Sequence, residues 1–379
     1  MHRLVLDADD PGEPTLNHPT RHPPSLPHAS TTKAHPRSRG GENGKVYFVG
    51  TATTIIEWGN IRLLTDPNFL PQGDEVHLGP GIKSRRLTDP AISLQEMPPV
   101  HLVLLSHYHG DHFDPNVEKS LTRDLPIVTT QHAKRHLTSK GDDSFTQVYA
   151  LDTYQSMIVE VKSSESSGEK EPAIRITGLP GRHIPPGALS RANDFIQAVS
   201  DIDLNSSLKN NSIWGKKANM ASKVPPTNGW MVELGTTTKY HHTEGDFETG
   251  YRYDIKNLIP CLARKFGIIY ITGDTLMCND VKEIAEIYAG ENIDLMLLHL
   301  GGTTIPSPQV PLLMVTMDSD QGVELMEHIR PGITIPIHYD DYDIFTTKLE
   351  DIQAAVDEAG LSSKVVYLGR KDEYIFKVR

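Results

Sequence analysis

Eleven residues, LLSHYHGDHFD from Leu104 to Asp114, hold three histidines and two aspartates directly after an apolar run. His107, His109, Asp111 and His112 make the pattern H-x-H-x-D-H. Alternate residues of an extended segment point the same way, so His107 and His109 can share one metal ion. Gly110 can then turn the chain and aim Asp111 and His112 at a second ion. Imidazole and carboxylate are good zinc ligands, and manganese or iron accepts the same donors. A polar surface turn with incidental histidines is the competing reading. Three His and one Asp within six residues, after an apolar strand, argue against it.

Such a loop needs elements to hold it. HLVLLSH reads as a buried strand, and ligand sites in layered α/β folds gather at the C-terminal ends of strands. Lys45 to Pro67 reads as strands around a tight Gly59-Asn60 turn. Further short apolar runs follow: PIVTTQ, FTQVYALDT, SMIVEVK, AIRITGLPG, NGWMVELG, FGIIYITGD, IDLMLLHL, GITIPIH and KVVYLG. Helix patterns fall at 116–123, 131–139, 279–289, 318–329 and 346–359, with Asp318 as an N-cap ahead of Val323, Leu325 and Met326. This alternation predicts a layered α/β domain. Residues 187–226 and 236–258 are long, polar and rich in Gly, Asn and Ser, as pocket rims or disordered segments are. His241 and His242, in the second stretch, read as solvated loop residues.

Residues 1–44 have another texture, rich in Pro, His, Ser and Gly. They are expected to form a disordered tail ahead of one domain spanning 45–379. The 379-residue chain carries 37 basic and 49 acidic residues, a formal net charge of −12. That balance argues against a nucleic-acid partner, which needs a basic footprint. Cys261 and Cys278 are the two cysteines, too few for a disulfide framework or a cysteine zinc cage. No apolar run approaches the roughly 20 residues of a membrane span, and the acidic N-terminus lacks signal-peptide character. The expectation is a cytoplasmic protein without integral membrane association, acting on a small molecule.

From Lys45 to Arg379 the chain resembles the metallo-β-lactamase superfamily, whose signature is the H-x-H-x-D-H loop. The resemblance implies a four-layered αββα sandwich, an α/β fold, and two divalent metal ions, zinc first, with manganese or iron as alternatives. It assigns His183 of GLPGRHIPPG to the first metal with His107 and His109. Asp274 of YITGDT would bridge both ions, and His338 of IPIHYDDYDIF would complete the second site with Asp111 and His112. Asp66 of LLTDPNF would lie just outside the ligands. LMLLHLGGTTIP, VTMDSDQGVEL and PIHYDDYDIF look most like the branch of L-ascorbate-6-phosphate lactonase and N-acyl-phosphatidylethanolamine phospholipase D.

The implied chemistry is hydrolysis by a metal-bound hydroxide. Asp111 would bind metal and orient the nucleophile. His299, at the end of IDLMLLHL, is a candidate acid for the leaving group, or else a residue supporting the ligands. Tyr108 and Tyr339 could touch substrate or pack beside it. Thr316 stands where the related phospholipase has histidine, and no amphipathic segment suggests a bilayer. The expected substrate is therefore a small cyclic ester or amide: a lactone, a lactam or a cyclic carbamate, such as a xenobiotic. The alternatives are a phosphodiesterase or phospholipase D acting on N-acyl phospholipids, and a non-catalytic metal-binding protein.

Overall fold

A computed structural model describes residues 2–8, 15–17, 23–79, 82–162, 170–183, 224–238 and 262–378. In chain order the first strands are β1 (His2–Asp7), β2 (Thr32–Ala34), β3 (Gly44–Gly50), β4 (Thr53–Trp58), β5 (Ile61–Thr65), β6 (Glu75–Gly79), β7 (Ile82–Arg85), β8 (Leu102–Leu104), β9 (Ile127–Thr129) and β10 (Val148–Ala150). There follow β11 (Ser156–Lys162), β12 (Lys170–Pro180), β13 (Asn228–Thr238), β14 (Leu262–Ile271), β15 (Leu295–His299), β16 (Thr304–Ser307), β17 (Val310–Met314), β18 (Ile333–Ile337) and β19 (Glu373–Phe376). The α-helices among the described residues are α1 (Pro115–Ser120), α2 (Gln131–Leu137), α3 (Asn279–Ile287), α4 (Ser319–Ile329) and α5 (Leu349–Glu358).

Two large sheets result. One has seven strands in the order β1-β11-β12-β13-β14-β15-β18, the other eight in the order β10-β9-β8-β5-β4-β3-β19-β2. Side chains alternate across each strand. Val46, Phe48, Ile56 and Leu63 enter a core between the sheets with Val159, Ile176, Ile269 and Ile335. Their neighbours Tyr47, Val49, Ile55 and Leu64 face outward and pack with Val117 of α1 and Ala133 of α2. On the other side Met296 and Leu298 pack with Ile284 of α3, Leu325 of α4 and Val356 of α5. The molecule is thus the expected αββα sandwich, and burial on both faces explains why its strands read as continuous apolar runs.

Local signals hold in detail. Gly59 and Asn60 both have positive φ, 56° and 64°, as the tight turn between β4 and β5 requires. Asp318 caps α4, accepting from the Gln321 amide at 3.0 Å. The KVVYLG run is an exception. Among the described residues it pairs with no strand apart from a single bridge between Val365 and Thr334, and the last strand is β19.

Several segments of residues 1–44 dock on the domain, in place of the disordered tail expected there. β1 lies parallel to β11 at the sheet edge, and Leu4 and Leu6 join the inter-sheet core. Leu16 and Leu26 pack in the outer layer with α1, and β2 pairs with β19. Mean composition hid a few well-spaced leucines that dock one by one. The stretches 187–226 and 236–258 fall largely outside the described residues, as do His241 and His242; residues 236–238 belong to β13.

Candidate metal centre

Strand direction gathers the site. β12 and β14 run antiparallel to β13 between them, and β14, β15 and β18 are parallel. The C-terminal ends of β12, β14, β15 and β18 therefore share one edge, bringing His183, Asp274, His299 and His338 together. In the facing sheet β5 and β8 are parallel, so Asp66 and the His107–His112 loop emerge side by side. An amide–carbonyl bond of 2.8 Å from His338 to Thr51 joins the two edges.

The side chains form two groups, His107, His109 and His183 in one and Asp111, His112, Asp274 and His338 in the other. Within each group the donor atoms lie no more than 4.8 Å apart. All seven are buried except His109, which is partly exposed. In the first group His107 Nε2 is 2.9 Å from His109 Nδ1 and 3.1 Å from His183 Nε2. In the second, His112 Nε2 is 3.1 Å from Asp274 Oδ2, and His338 Nε2 is 3.7 Å from Asp111 Oδ2.

Hydrogen bonds on the far side of each ring assign the tautomers. His183 Nδ1 donates to the Val315 carbonyl at 2.8 Å, and His338 Nδ1 to the Leu300 carbonyl at 2.9 Å. His112 Nδ1 faces Asp66 Oδ2 at 3.0 Å. The Ser106 hydroxyl donates to the same Asp66 oxygen at 2.8 Å, so its own oxygen accepts from His107 Nδ1 at 2.9 Å. In His107 and His183 the nitrogen turned toward the group is therefore a bare lone pair. Asp111 Oδ1, Asp274 Oδ1 and His338 Nε2 are buried without a hydrogen-bond partner among the described residues. Converging lone pairs and unpaired carboxylate oxygens repel unless a cation lies among them, so the residues fit divalent metal.

Residues 62–196 match the family described as "Beta-lactamase superfamily domain". A UPF0173 metal-dependent hydrolase of Archaeoglobus fulgidus is 31% identical over 332 residues, covering 88% of this chain and 99% of that protein. The chain belongs to the UPF0173 metal-dependent hydrolase family of the metallo-β-lactamase superfamily. A second UPF0173 protein, from Nanoarchaeum equitans, is 28% identical over 35% of the chain and 54% of its own length. The chain thus spans about half the length of some curated relatives it matches. Two solved structures share the fold. A "possible metal-dependent hydrolase" from Veillonella parvula has a TM-score of 0.56 and 15% identity, covering 88% of this chain and 99% of its own. An isothiocyanate hydrolase from Delia radicum gut bacteria has 0.57 and 13%, covering 88% and 100%.

Electrostatics differ between the two groups of this UPF0173 chain. Burial holds His107 and His183 below the ordinary histidine value and takes His109 down to about 4, so these rings are neutral. Burial also disfavours charge on His112, yet Asp274, Asp111 and Asp66 together push it well above its usual value. His338 is raised against burial by Asp274 and Asp111. Asp66 resists its own burial and sits down at about 2 because His112 and His299 face it.

The remaining sequence candidates lie around these groups. His299 is fully buried behind them, its Nε2 3.6 Å from Asp66 Oδ2 and its ring stacked on His112 at 6.2 Å. Tyr108 turns away from the donors to stack on His136, while Tyr339 packs in the core under α4 and α5. Thr316 accepts from the Thr303 amide at 2.8 Å. No helix among the described residues is long and apolar enough to cross a membrane.

Several supporting residues escaped the sequence reading. Asn68 Nδ2 donates to the Asp111 carbonyl at 2.9 Å and to Tyr342 Oη at 2.7 Å. Arg86, fully buried, donates to Asn68 Oδ1 at 2.6 Å. Asp341 accepts from the Thr51 hydroxyl at 2.8 Å, from the Thr51 amide, from Thr88 and from Arg370. Ser106 had a signal, since it immediately precedes the first histidine of the motif. Arg86 and Asp341 had none, because their partners are distant in the chain.

Three non-glycine residues near the site have positive φ: Thr51 (51°), Asp66 (36°) and His338 (63°). Such conformations cost energy and persist where surrounding structure imposes them. Gly273, beside Asp274, has φ 60°, and a Cβ there would lie 2.4 Å from the Asn228 carbonyl oxygen.

Proposed function

We propose that this chain is a dimetal hydrolase that opens a small, uncharged cyclic ester or amide, in the range of lactones, lactams and cyclic carbamates. One ion would be held by His107, His109 and His183, the other by Asp111, His112 and His338, with Asp274 between them. Zinc is the first choice for this donor set, with manganese or iron as substitutes. The observation that carries the reading is the pair of adjacent donor groups, in the second of which Asp111 Oδ1, Asp274 Oδ1 and His338 Nε2 have no hydrogen-bond partner among the described residues. Bound ions would supply Lewis acidity and an acidified water.

The chain's own groups have distinct tasks. Asp111 is ionised, its pKa lowered by His112, His338 and His109 in spite of burial, and its Oδ1, without a partner among the described residues, can accept a hydrogen bond from water and orient it. Asp66 holds His112 directly and His107 through Ser106, so one carboxylate orients a histidine of each group. His299 buttresses Asp66; its burial at that position favours positioning over leaving-group protonation. Phe345, 4.5 Å from the His338 ring, belongs to an apolar cluster with Val76, Leu313 and Tyr342. The strongest opposite charges acting on Asp66, Asp111 and Asp274 come from histidines. An apolar wall beside a centre whose cationic partners are metal-type ligands suits a neutral ring better than an anionic phosphodiester.

The test is a panel on one metal-loaded preparation: lactones, lactams, cyclic carbamates and isothiocyanates against phosphodiesters and N-acyl phospholipids, with Asp111→Asn as control. Higher kcat/KM on the lactones, lactams or cyclic carbamates, lost in Asp111→Asn, supports the reading; higher kcat/KM on isothiocyanates would replace the ring with an open electrophile. Higher kcat/KM on phosphodiesters or phospholipids replaces it with the phosphodiesterase reading.

A further inference from the structure

We propose that His132 and His136 on α2 form a separate site for a transition-metal dication. They stand at i and i+4, so their side chains share one face of the helix. Their Nε2 atoms are 3.3 Å apart, with ring centroids 4.6 Å apart and planes inclined at 56°. An ion about 2.0–2.1 Å from both nitrogens would subtend an N–metal–N angle of roughly 104–111°, which spans the tetrahedral value. The separation of the two nitrogens thus suits a chelate. Paired imidazoles select zinc, copper or nickel over magnesium or calcium.

One further observation agrees. Burial, with His136 and Arg135 nearby, lowers the pKa of His132, so the ring is neutral near neutral pH and has a lone pair to offer.

The pair is distinct from the central donors, because α2 packs on the outer face of the eight-stranded sheet. One side chain connects them. The Tyr108 ring lies parallel to His136, 4° between planes and 5.0 Å between centroids. Its hydroxyl donates to Glu118 at 2.8 Å and accepts from Lys140 at 2.8 Å. Tyr108 stands between His107 and His109 in the chain, so an ion that fixes His136 also fixes the side chain beside the donor loop.

The competing account is a simple N–H···N hydrogen bond between the two rings. Full-length protein, metal-loaded and dialysed, is titrated with Ni²⁺ and with Zn²⁺ by calorimetry, alongside His132→Gln, His136→Gln and the double variant. The wild type should take up one equivalent more than the double variant, and each single variant should lose that equivalent. Cu²⁺ added to the wild type should show coupling to two imidazole nitrogens in its electron spin resonance, and none from this pair in the double variant. Histidines elsewhere are common to all four proteins and cancel. His136 is exposed, so His136→Gln alone decides the matter if His132→Gln lowers the melting temperature. Equal uptake by wild type and His136→Gln overturns the proposal. The readout is a difference, so it stands even if the central groups retain no metal, an outcome that would instead refute the function proposed above.

Discussion

His107 and His183 present their Nε2 atoms to each other across 3.1 Å, while each ring has its Nδ1 hydrogen bonded elsewhere. Two neutral imidazoles in that arrangement set lone pair against lone pair. The contact is favourable only with a shared cation or proton, and burial holds both rings below their ordinary pKa.

Metal removal should therefore cost stability. Chelator-treated protein is expected to melt at lower temperature than protein reloaded with zinc, since an ion bound only by the folded state stabilises it. Elemental analysis should find up to two tightly held divalent ions per chain. Identical melting curves with and without chelator, together with no metal after reloading, would refute the centre.

Asp66→Asn should weaken metal retention more than it changes the fold. The substitution keeps volume but removes the charge that orients His112 Nδ1 and, through Ser106, His107. A loss of about 10–100-fold in metal affinity is expected, as for other hydrogen-bond partners of ligands. Competition with a coloured chelator measures it, and an unchanged affinity would remove Asp66 from the positioning role.

Asp341 should contribute to stability in a pH-dependent way. It is fully buried, 3.9 Å from Arg86 Nη2 and paired with Arg370. Although burial opposes its ionisation, Arg370 and Arg86 hold its pKa below the ordinary 3.8. A carboxyl lowered on folding stabilises the folded state fully above the unfolded value and loses that contribution as pH falls through the folded one. Asp341→Asn should cost about 3–5 kcal/mol near neutral pH, since it leaves Arg86 buried and less compensated. The gap from wild type should close only below about pH 4. Urea titrations at pH 7, 5 and 3 measure it, and a gap constant with pH would contradict the assignment.

The N-terminal strand should matter. Leu6 is 8% exposed and sits in the inter-sheet core. Leu6→Ala is expected to destabilise by about 2 kcal/mol, at the low end for buried leucine because the strand lies at a sheet edge. Deletion of residues 1–8 should cost more, since it also exposes the edge of β11. Unchanged unfolding midpoints would mean that β1 contributes nothing to the fold in solution.

The H-x-H-x-D-H spacing, the strand before it and the alternating apolar runs determined the fold class and one half of the donor constellation from sequence alone. They could do so because a strand of period two and a loop six residues long are local objects, whose geometry follows from neighbouring residues. His183, Asp274 and His338 carried no local pattern strong enough to single them out; only resemblance to a family pointed there. Tertiary structure decided that they meet, because parallel β14, β15 and β18 end on one edge with β12. It also decided what no window could contain: Arg86 and Asp341 are 255 residues apart (341 − 86), yet they stand 3.9 Å apart inside the protein. The same holds for the N-terminus. Its average composition resembles a free tail, but a strand forms wherever an open sheet edge accepts its backbone and a core accepts Leu4 and Leu6, and that edge exists only once β11 has folded.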